Sequence, residues 1–326
     1  MASLPRIALL LVAISVVGFM AGGGARASVA LLTDQESRQA TLTTAANFDT
    51  VAPTVVRSVV SKTIAYWPGY IKQGGTYFVY AQVTDGGAVP SGVSTVTANT
   101  SSFDAGQTAV PLVAGSYWIG GLSYNYRSAS KSTTATLAEG SYAYTVTATD
   151  VAGNSATQSG FSVTVDNTKP SAVDVQTANA GVAGRPEAGD TITFTFSELI
   201  DPESIDSGWT GASISVVVRI TQNTSGDRVT IRNAANGAQL SLGSVNLVGL
   251  SYVTATRDFG ATGTPSTMVA VGNTIVITLG TASGAVGTES VPYIMVWTPA
   301  TAANDRANNA CLGTVANESG SLDLDF

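Results

Sequence analysis

Histidine is absent from this 326-residue chain, and Cys311 is its single cysteine. Without imidazole there is no Ser-His-Asp or Cys-His nucleophile, no zincin-type metal site and no histidine general base. One cysteine allows neither an intramolecular disulfide nor a cysteine metal cluster. Its thiol is either buried or available to bridge another chain, and burial is expected. Charge is also sparse, at 11% of residues, with 22 acidic against 15 basic side chains and no basic cluster. Such a chain is not built for nucleic acid or for an anionic membrane as partner. Long apolar runs are missing beyond one at the N-terminus, so the mean hydropathy of +0.23 is spread thinly. No window places apolar residues at helical spacing over three turns, which leaves strands.

The N-terminal run covers residues 7–21, after Arg6, and ends in Gly22-Gly23-Gly24. One positive charge, an apolar core of about 15 residues and helix-breaking glycines form a secretory signal pattern. The core falls short of the roughly 20 residues that a spanning helix needs. Small residues with signal-peptidase spacing occur in Ala25-Arg26-Ala27 and again in Ser28-Val29-Ala30. Cleavage is expected after Ala30, giving a signal peptide at 1–30; a retained signal anchor is the alternative. These residues carry Arg6 and Arg26 and no acid, so losing two positive charges moves the formal charge from −7 to −9. The mature protein is expected to be secreted or on the cell surface, with no membrane contact beyond the signal segment.

What the chain has in abundance is Gly, Thr, Ser, Ala and Val, the composition of sheets joined by tight turns. It also repeats itself. Asp150-Val151-Ala152-Gly153-Asn154 returns as Asp305-Arg306-Ala307-Asn308-Asn309, a D-x-A-[G/N]-N frame whose fourth position holds the two residues that best tolerate left-handed backbone. Asp49 and Pro53 share a D-x-x-x-P frame with Asp166 and Pro170, and 74–79 shares its pattern with 189–194. Three landmarks in one order predict an all-β chain of two tandem modules. A polar lead-in at 31–52 precedes a first module at 53–169 and a second at 170–326. Tyr142, Tyr144, Val146 and Ala148 alternate with small polar residues, as do Phe161, Val163 and Val165, which predicts a hairpin closed by the 150–154 turn. Turns at 225–227, 236–237 and 272–273 predict further hairpins, and 293–297 a further strand. The second module is the longer, with insertions around 223–243 and 281–287; insertions at loop ends are where binding surfaces sit.

These residues resemble bacterial immunoglobulin-like domains. The first module closes in Ala148-Thr149-Asp150-Val151-Ala152-Gly153-Asn154-Ser155, a Phe161-Ser162-Val163-Thr164-Val165 strand and a proline linker. The second opens in Gly189-Asp190-Thr191-Ile192-Thr193-Phe194-Thr195-Phe196-Ser197-Glu198, similar to the opening of another group of such modules. The segment after Ala30, Leu31-Leu32-Thr33-Asp34, resembles the mature start of camelysin-like bacterial matrix proteins, with two leucines in place of the aromatic pair. The resemblance implies Ig-like β-sandwiches acting as spacers, adhesive units or matrix components. The chain is therefore expected to be non-enzymatic, without a cofactor, and to meet other surface or matrix proteins, itself, or a glycan.

Four groups of residues are candidates for more than scaffolding. The two repeated turns supply oxygens at Asp150, Asn154, Asp305 and Asn309 that suit Ca²⁺, provided a further donor such as Asp85, Asp104 or Asp166 joins them. The same aspartates also suit capping the hairpin by accepting backbone N–H bonds, and capping is the favoured role. Glu198, Asp201, Glu203 and Asp206 are the densest acidic group, and paired carboxylates serve glycoside hydrolysis; a solvated loop is expected instead. Tyr66, Trp67, Tyr70, Tyr117 and Trp118 concentrate aromatics, with Tyr124 and Tyr126 close behind. If exposed, Trp67, Tyr70 and Trp118 make a sugar platform; buried, they fill the core, which is the expected role here as it is for Trp209 and Trp297. Finally, 322–326 alternates as a terminal strand with Leu322, Leu324 and Phe326 inward and the aspartates outward, and residues 31–49 are the expected donor strand to a neighbouring molecule.

Overall fold

A computed structural model describes residues 48–62 and 67–326. The signal segment, the lead-in up to residue 47 and Tyr66 lie outside the described residues, and with them the donor-strand expectation. Two β-ladders that share no strand make up the described chain, joined by the stretch from Asp166 to Pro170. The first contains β1 (Thr54–Ser61), β2 (Tyr70–Ile71), β3 (Thr76–Thr84), β4 (Val93–Asn99), β5 (Val110–Ile119), β6 (Leu122–Ser128), β7 (Lys131–Ser132), β8 (Gly140–Asp150) and β9 (Ser155–Val165). Its order is β1-β3-β6-β5-β4-β8-β9-β2, with β7 on β3. Every pairing is antiparallel except β2 with β9.

The second ladder contains β10 (Ala172–Ala178), β11 (Thr191–Phe196), a helical turn α1 (Pro202–Ile205), β12 (Ile214–Thr221), β13 (Arg228–Asn233) and β14 (Gln239–Asn246). It continues through β15 (Arg257–Phe259), β16 (Ser266–Val271), β17 (Thr274–Thr278), β18 (Val296–Thr298) and β19 (Ala316–Asn317). The order is β10-β11-β17-β16-β12-β13-β14-β18-β19, with β15 on β12. Both bodies are β-sandwiches of the expected all-β class. The described residues include no helix long and apolar enough to cross a membrane.

Period-two burial builds the strands. In β8 Tyr144, Val146 and Ala148 are buried while Thr145 and Thr147 are half-buried, and in β11 Ile192, Phe194 and Phe196 alternate with three threonines. Each ladder closes on its own core. The first centres on Tyr77, Val79, Val146 and Val163. The second centres on Trp297, whose ring meets Phe194 and Phe196 edge-on at 5.1 and 4.9 Å. Each such side chain contributes about 1.5–3 kcal/mol by leaving water. Trp209 is buried as well. Cys311 is buried in the second core, and burial pushes its thiol up to about 11, which keeps it protonated and slow to exchange.

The expected turns all join paired strands: 150–154 between β8 and β9, 225–227 between β12 and β13, 236–237 between β13 and β14, and 272–273 between β16 and β17. Three expectations change. Residues around 223–243 are not a loop insertion, because β13 and β14 lie inside the ladder. The strand expected over 293–297 begins only at Val296, with Tyr293 held by a single bridge to Asp323. The terminal segment 322–326 is not a guarded edge strand. Leu322 is 61% exposed, while Asp325 and Phe326 are fully buried, the ring of Phe326 lying 5.9 Å from that of Tyr252. The tail plugs the second core end-on, and an alternating pattern cannot distinguish that from a strand.

Candidate functional site

The repeated turns fold identically. Asp150 Oδ1 accepts the Asn154 backbone N–H at 2.8 Å and Oδ2 accepts the Asn154 amide at 2.7 Å. In the second turn Asn309 gives the same two bonds to Asp305, each at 2.7 Å. The fourth residues, Gly153 and Asn308, take φ of 94° and 73°, the left-handed region that the frame calls for. Each Asn then reaches back to the D-x-x-x-P frame that precedes its module: Asn154 Nδ2 donates to the Asp49 carbonyl at 3.1 Å, and Asn309 Nδ2 to the Asp166 carbonyl at 2.8 Å. Capping, the role favoured from the sequence, is therefore present in both copies.

The same folding gathers carboxylates. Oxygens of Asp49, Asp85 and Asp150 lie within 4.8 Å of one another, and so do those of Asp166, Glu198 and Asp305. Each triad takes one acid from the D-x-x-x-P entry, one from just beyond the module's long early strand (β3 or β11), and one from the turn. Of the further donors considered, Asp85 joins the first triad and Asp166 the second, and Asp49 takes the place of Asp166 in the first. Asp104 belongs to neither and accepts the Tyr77 hydroxyl at 2.7 Å. Asp85 Oδ2 accepts the Gly92 N–H at 2.6 Å, but its Oδ1 is buried without a hydrogen-bond partner, and Glu198 Oε1 at the equivalent place is also buried and unpartnered. A buried oxygen left without a donor costs about 1–3 kcal/mol. A hard divalent cation such as Ca²⁺, which takes only oxygens, fits this donor set.

The triads differ in electrostatics. Hydrogen bonds, from Ser91 first and Val51 next, hold Asp49 below the usual carboxylate range. Glu198 is pushed up to about 7, by burial first and then by the charges of Asp166 and Asp305. Burial likewise raises Asp305.

Only the second triad lies beneath a seam between the sandwiches. Lys62, directly after β1, pairs with Asp201 at 2.5 Å and donates to the Asp305 carbonyl at 3.2 Å. Lys72 donates to the Asn308 carbonyl at 2.5 Å. Arg306 stacks over Trp67 at 4.4 Å and Tyr70 at 5.7 Å. A polar cleft of ≈270 Å³ between the bodies is lined by Lys62, Lys72, Asp201, Glu203, Asn304 and Asn308.

The candidate aromatics therefore separate, and the core role expected of them fails for Trp67 and Trp118, which are exposed. Trp67 and Tyr70 serve the seam, Tyr124 is buried, and Trp118 is 70% exposed on the β5–β6 hairpin. The acidic group at 198–206 separates too. Glu198 faces Asp166 and Asp305, while Asp201 caps α1 through the Glu203 N–H and binds Lys62. What the sequence did not disclose is the equivalence of Asp85 and Glu198. The signal was there in chain order: each acid comes just after the strand that opens with the shared 74–79 and 189–194 pattern, although the two spacings differ by two residues.

No curated protein matches this chain. Among solved structures, dimeric latent PorU from Porphyromonas gingivalis is similar at 14% identity and a TM-score of 0.22, covering 83% of this chain and 20% of that one. A surface glycan-binding protein, SGBP-B of the Bacteroides ovatus mixed-linkage glucan utilization locus, solved with a mixed-linkage heptasaccharide, is similar at 14% identity and a TM-score of 0.18. That match covers 79% of this chain and 45% of SGBP-B, so the chain spans less than half of either protein. Scores this low carry nothing about fold or function to the present chain. The sequence itself is more specific: residues 108–167, from the start of β5 through the first D-x-A-G-N turn to the linker, match the bacterial Ig-like domain family.

Proposed function

We propose that this is an exported, non-enzymatic surface or matrix protein whose two Ig-like modules, 53–169 and 170–326, work as one stiff structural or adhesive unit. The seam carries this reading. Its charged and aromatic groups, which in an enzyme would face a substrate, are spent joining the sandwiches through Lys62, Lys72 and Arg306. Chain-wide NMR relaxation on residues 31–326 tests it: one tumbling time for both sandwiches is expected, splitting into two shorter, independent ones in Lys62→Ala/Arg306→Ala. Two separate tumbling times in the unaltered protein sink the proposal. Separately expressed 53–169 and 170–326 should each melt cooperatively.

A second element is favoured by the two orphaned oxygens, Asp85 Oδ1 and Glu198 Oε1. Each triad would hold one divalent cation, which supplies the missing partner and ties the module entry to its closing turn. Binding to the folded state alone stabilises by mass action, about 2.7 kcal/mol at a hundredfold excess over Kd. Melting in Ca²⁺ should exceed melting in chelator by several degrees and lose part of the rise in Asp150→Ala and part in Asp305→Ala. Equal melting with and without Ca²⁺ leaves capping as the turns' whole role.

A further inference from the structure

Trp118 is a large ring that neither core nor seam uses, and its surroundings are built to hold it in water. Strand β5 bulges between Ala114 and Tyr117, and beyond the bulge Tyr117 and Ile119 turn inward while Trp118 turns out. The inward pair joins Tyr80 and Tyr124 in a small satellite core on the sandwich's outer side. Two guanidinium groups brace that core. Arg127 lies 4.9 Å from the Phe78 ring and 4.6 Å from the Tyr117 ring. Arg57 lies 5.4 Å from the Tyr124 ring and donates to the Ser123 carbonyl at 2.6 and 3.2 Å. Gly120 and Gly121, at φ 57° and 74°, close the hairpin in the tight turn that only such residues make readily.

The result is an indole 70% exposed on a rigid hairpin, side by side with its cross-strand partner Ser123. We propose that Trp118 is a glycan-stacking platform: one pyranose ring lays its apolar C–H face on the indole, and its hydroxyls bond to Ser123 Oγ and the rim of Arg57. Size and chemistry select this ligand. A stable protein contact needs about 800 Å² on each side with several anchors, whereas besides Trp118 the β5–β6 hairpin exposes only two large apolar side chains, Val113 and Leu122. Membrane surfaces are disfavoured by an acidic chain without a basic cluster. A sugar ring matches one indole in area and wants hydroxyl neighbours. A ring carried on a braced hairpin leaves only its own side-chain rotamers to be fixed on binding. Because the platform lies away from the seam, its failure leaves the proposed stiff unit standing.

The test uses residues 31–326 on an array of β-linked hexose, N-acetylhexosamine and uronate oligosaccharides, followed by calorimetry on whichever class is retained. Binding should fall at least tenfold in Trp118→Ala, recover in part in Trp118→Tyr, and leave the melting temperature unchanged. Retention of the uronates alone would assign the rim to Arg57, and a loss in Arg57→Gln with intact folding would support that assignment. No retention of any sugar class overturns the proposal, as does binding indifferent to Trp118→Ala. So does sedimentation showing that Trp118→Ala dissolves an oligomer, which would make the hairpin a contact between copies.

Discussion

The two carboxylate triads share the Asp–Asn bonds of their turns and a left-handed fourth position, and yet their protons behave differently. In the first, hydrogen bonds to Asp49 favour the ionised form; in the second, burial and neighbouring charge push Glu198 to about 7 and raise Asp305. The turn sequence copies geometry, but it does not copy the environment. Burial of Glu198 and Asp305, together with the charge of Asp166, accounts for the difference, and Lys62 arriving from the other sandwich opposes it at Asp305. A repeated motif thus specifies where oxygens sit, and the depth of burial around them decides how they ionise.

Breaking the seam should separate the two bodies most sharply. Lys62→Ala leaves Asp201, whose side chain is 3% exposed, without its counter-ion. Removing one partner of a buried pair costs about 3–5 kcal/mol. The loss should fall on the second sandwich, with the first melting nearly as before, as resolved by calorimetry. A single transition lowered equally throughout would mean that the sandwiches do not melt as separate bodies.

Changing pH sharpens the comparison next. Asp325 is fully buried and raised to about 8, by burial first and then by Glu318; Glu318 is itself raised by burial. A carboxyl whose folded value lies above its unfolded value holds its proton better in the folded state, so stability is fully present below the unfolded value. It is lost as pH rises from about 4 to 8. Asp49 has the opposite sign: its contribution is present above the unfolded value and lost as pH falls below it. Hydrogen-exchange protection, taken relative to the base-catalysed intrinsic rate, should therefore fall at the tail and around Tyr252 from pH 5 to pH 8.5 while that of the first sandwich holds steady. Asp325→Asn should remove that trend.

A smaller effect is expected from neutralising the two orphaned carboxylates in chelator at pH 8. Glu198→Gln relieves repulsion in its triad and should stabilise by about 1 kcal/mol, a figure discounted for the solvent reaching a half-buried group. Asp85→Asn should not stabilise. Urea midpoints decide, and equal effects would erase the electrostatic distinction between the triads. Smallest of all, exchanging the turn residues by Gly153→Asn and Asn308→Gly should shift stability by about 0.5 kcal/mol or less, because both tolerate positive φ. Gly153→Val should cost more than about 1 kcal/mol.

Much of the fold was legible because the decisive signals were local. The threonine-separated Ile192, Phe194 and Phe196, and the Tyr144 to Ala148 alternation, declared strands and their buried faces; Gly153 and Asn308 declared a turn. The pairing of distant acids was only half legible. Asp85 and Asp166 were identified as donors, but the modules to which they belong depend on how β3 and the linker pack. Trp67 and Trp118 look alike in sequence. They part only because Arg306, far along the chain, covers one, while a bulge in β5 turns the other outward. The tail misled for a related reason, since a run of Leu322-Asp323-Leu324-Asp325-Phe326 carries no sign that an aspartate will be the buried partner of Tyr252.

The parallel pairing of β2 with β9 has a mechanical side. In the first sandwich β1 and β9 both run from the triad end toward the seam, β1 on β3 and β9 between β8 and β2. Tension applied between Pro53 and Asp166 would therefore slide these strands along their neighbours rather than peel them away. Hydrogen bonds across each ladder must then yield together instead of one after another. The expected behaviour is that of a shear clamp, with a higher unfolding force in pulling experiments through 53 and 166 than through the two ends of the β8–β9 hairpin, 140 and 165, where the same bonds open in sequence.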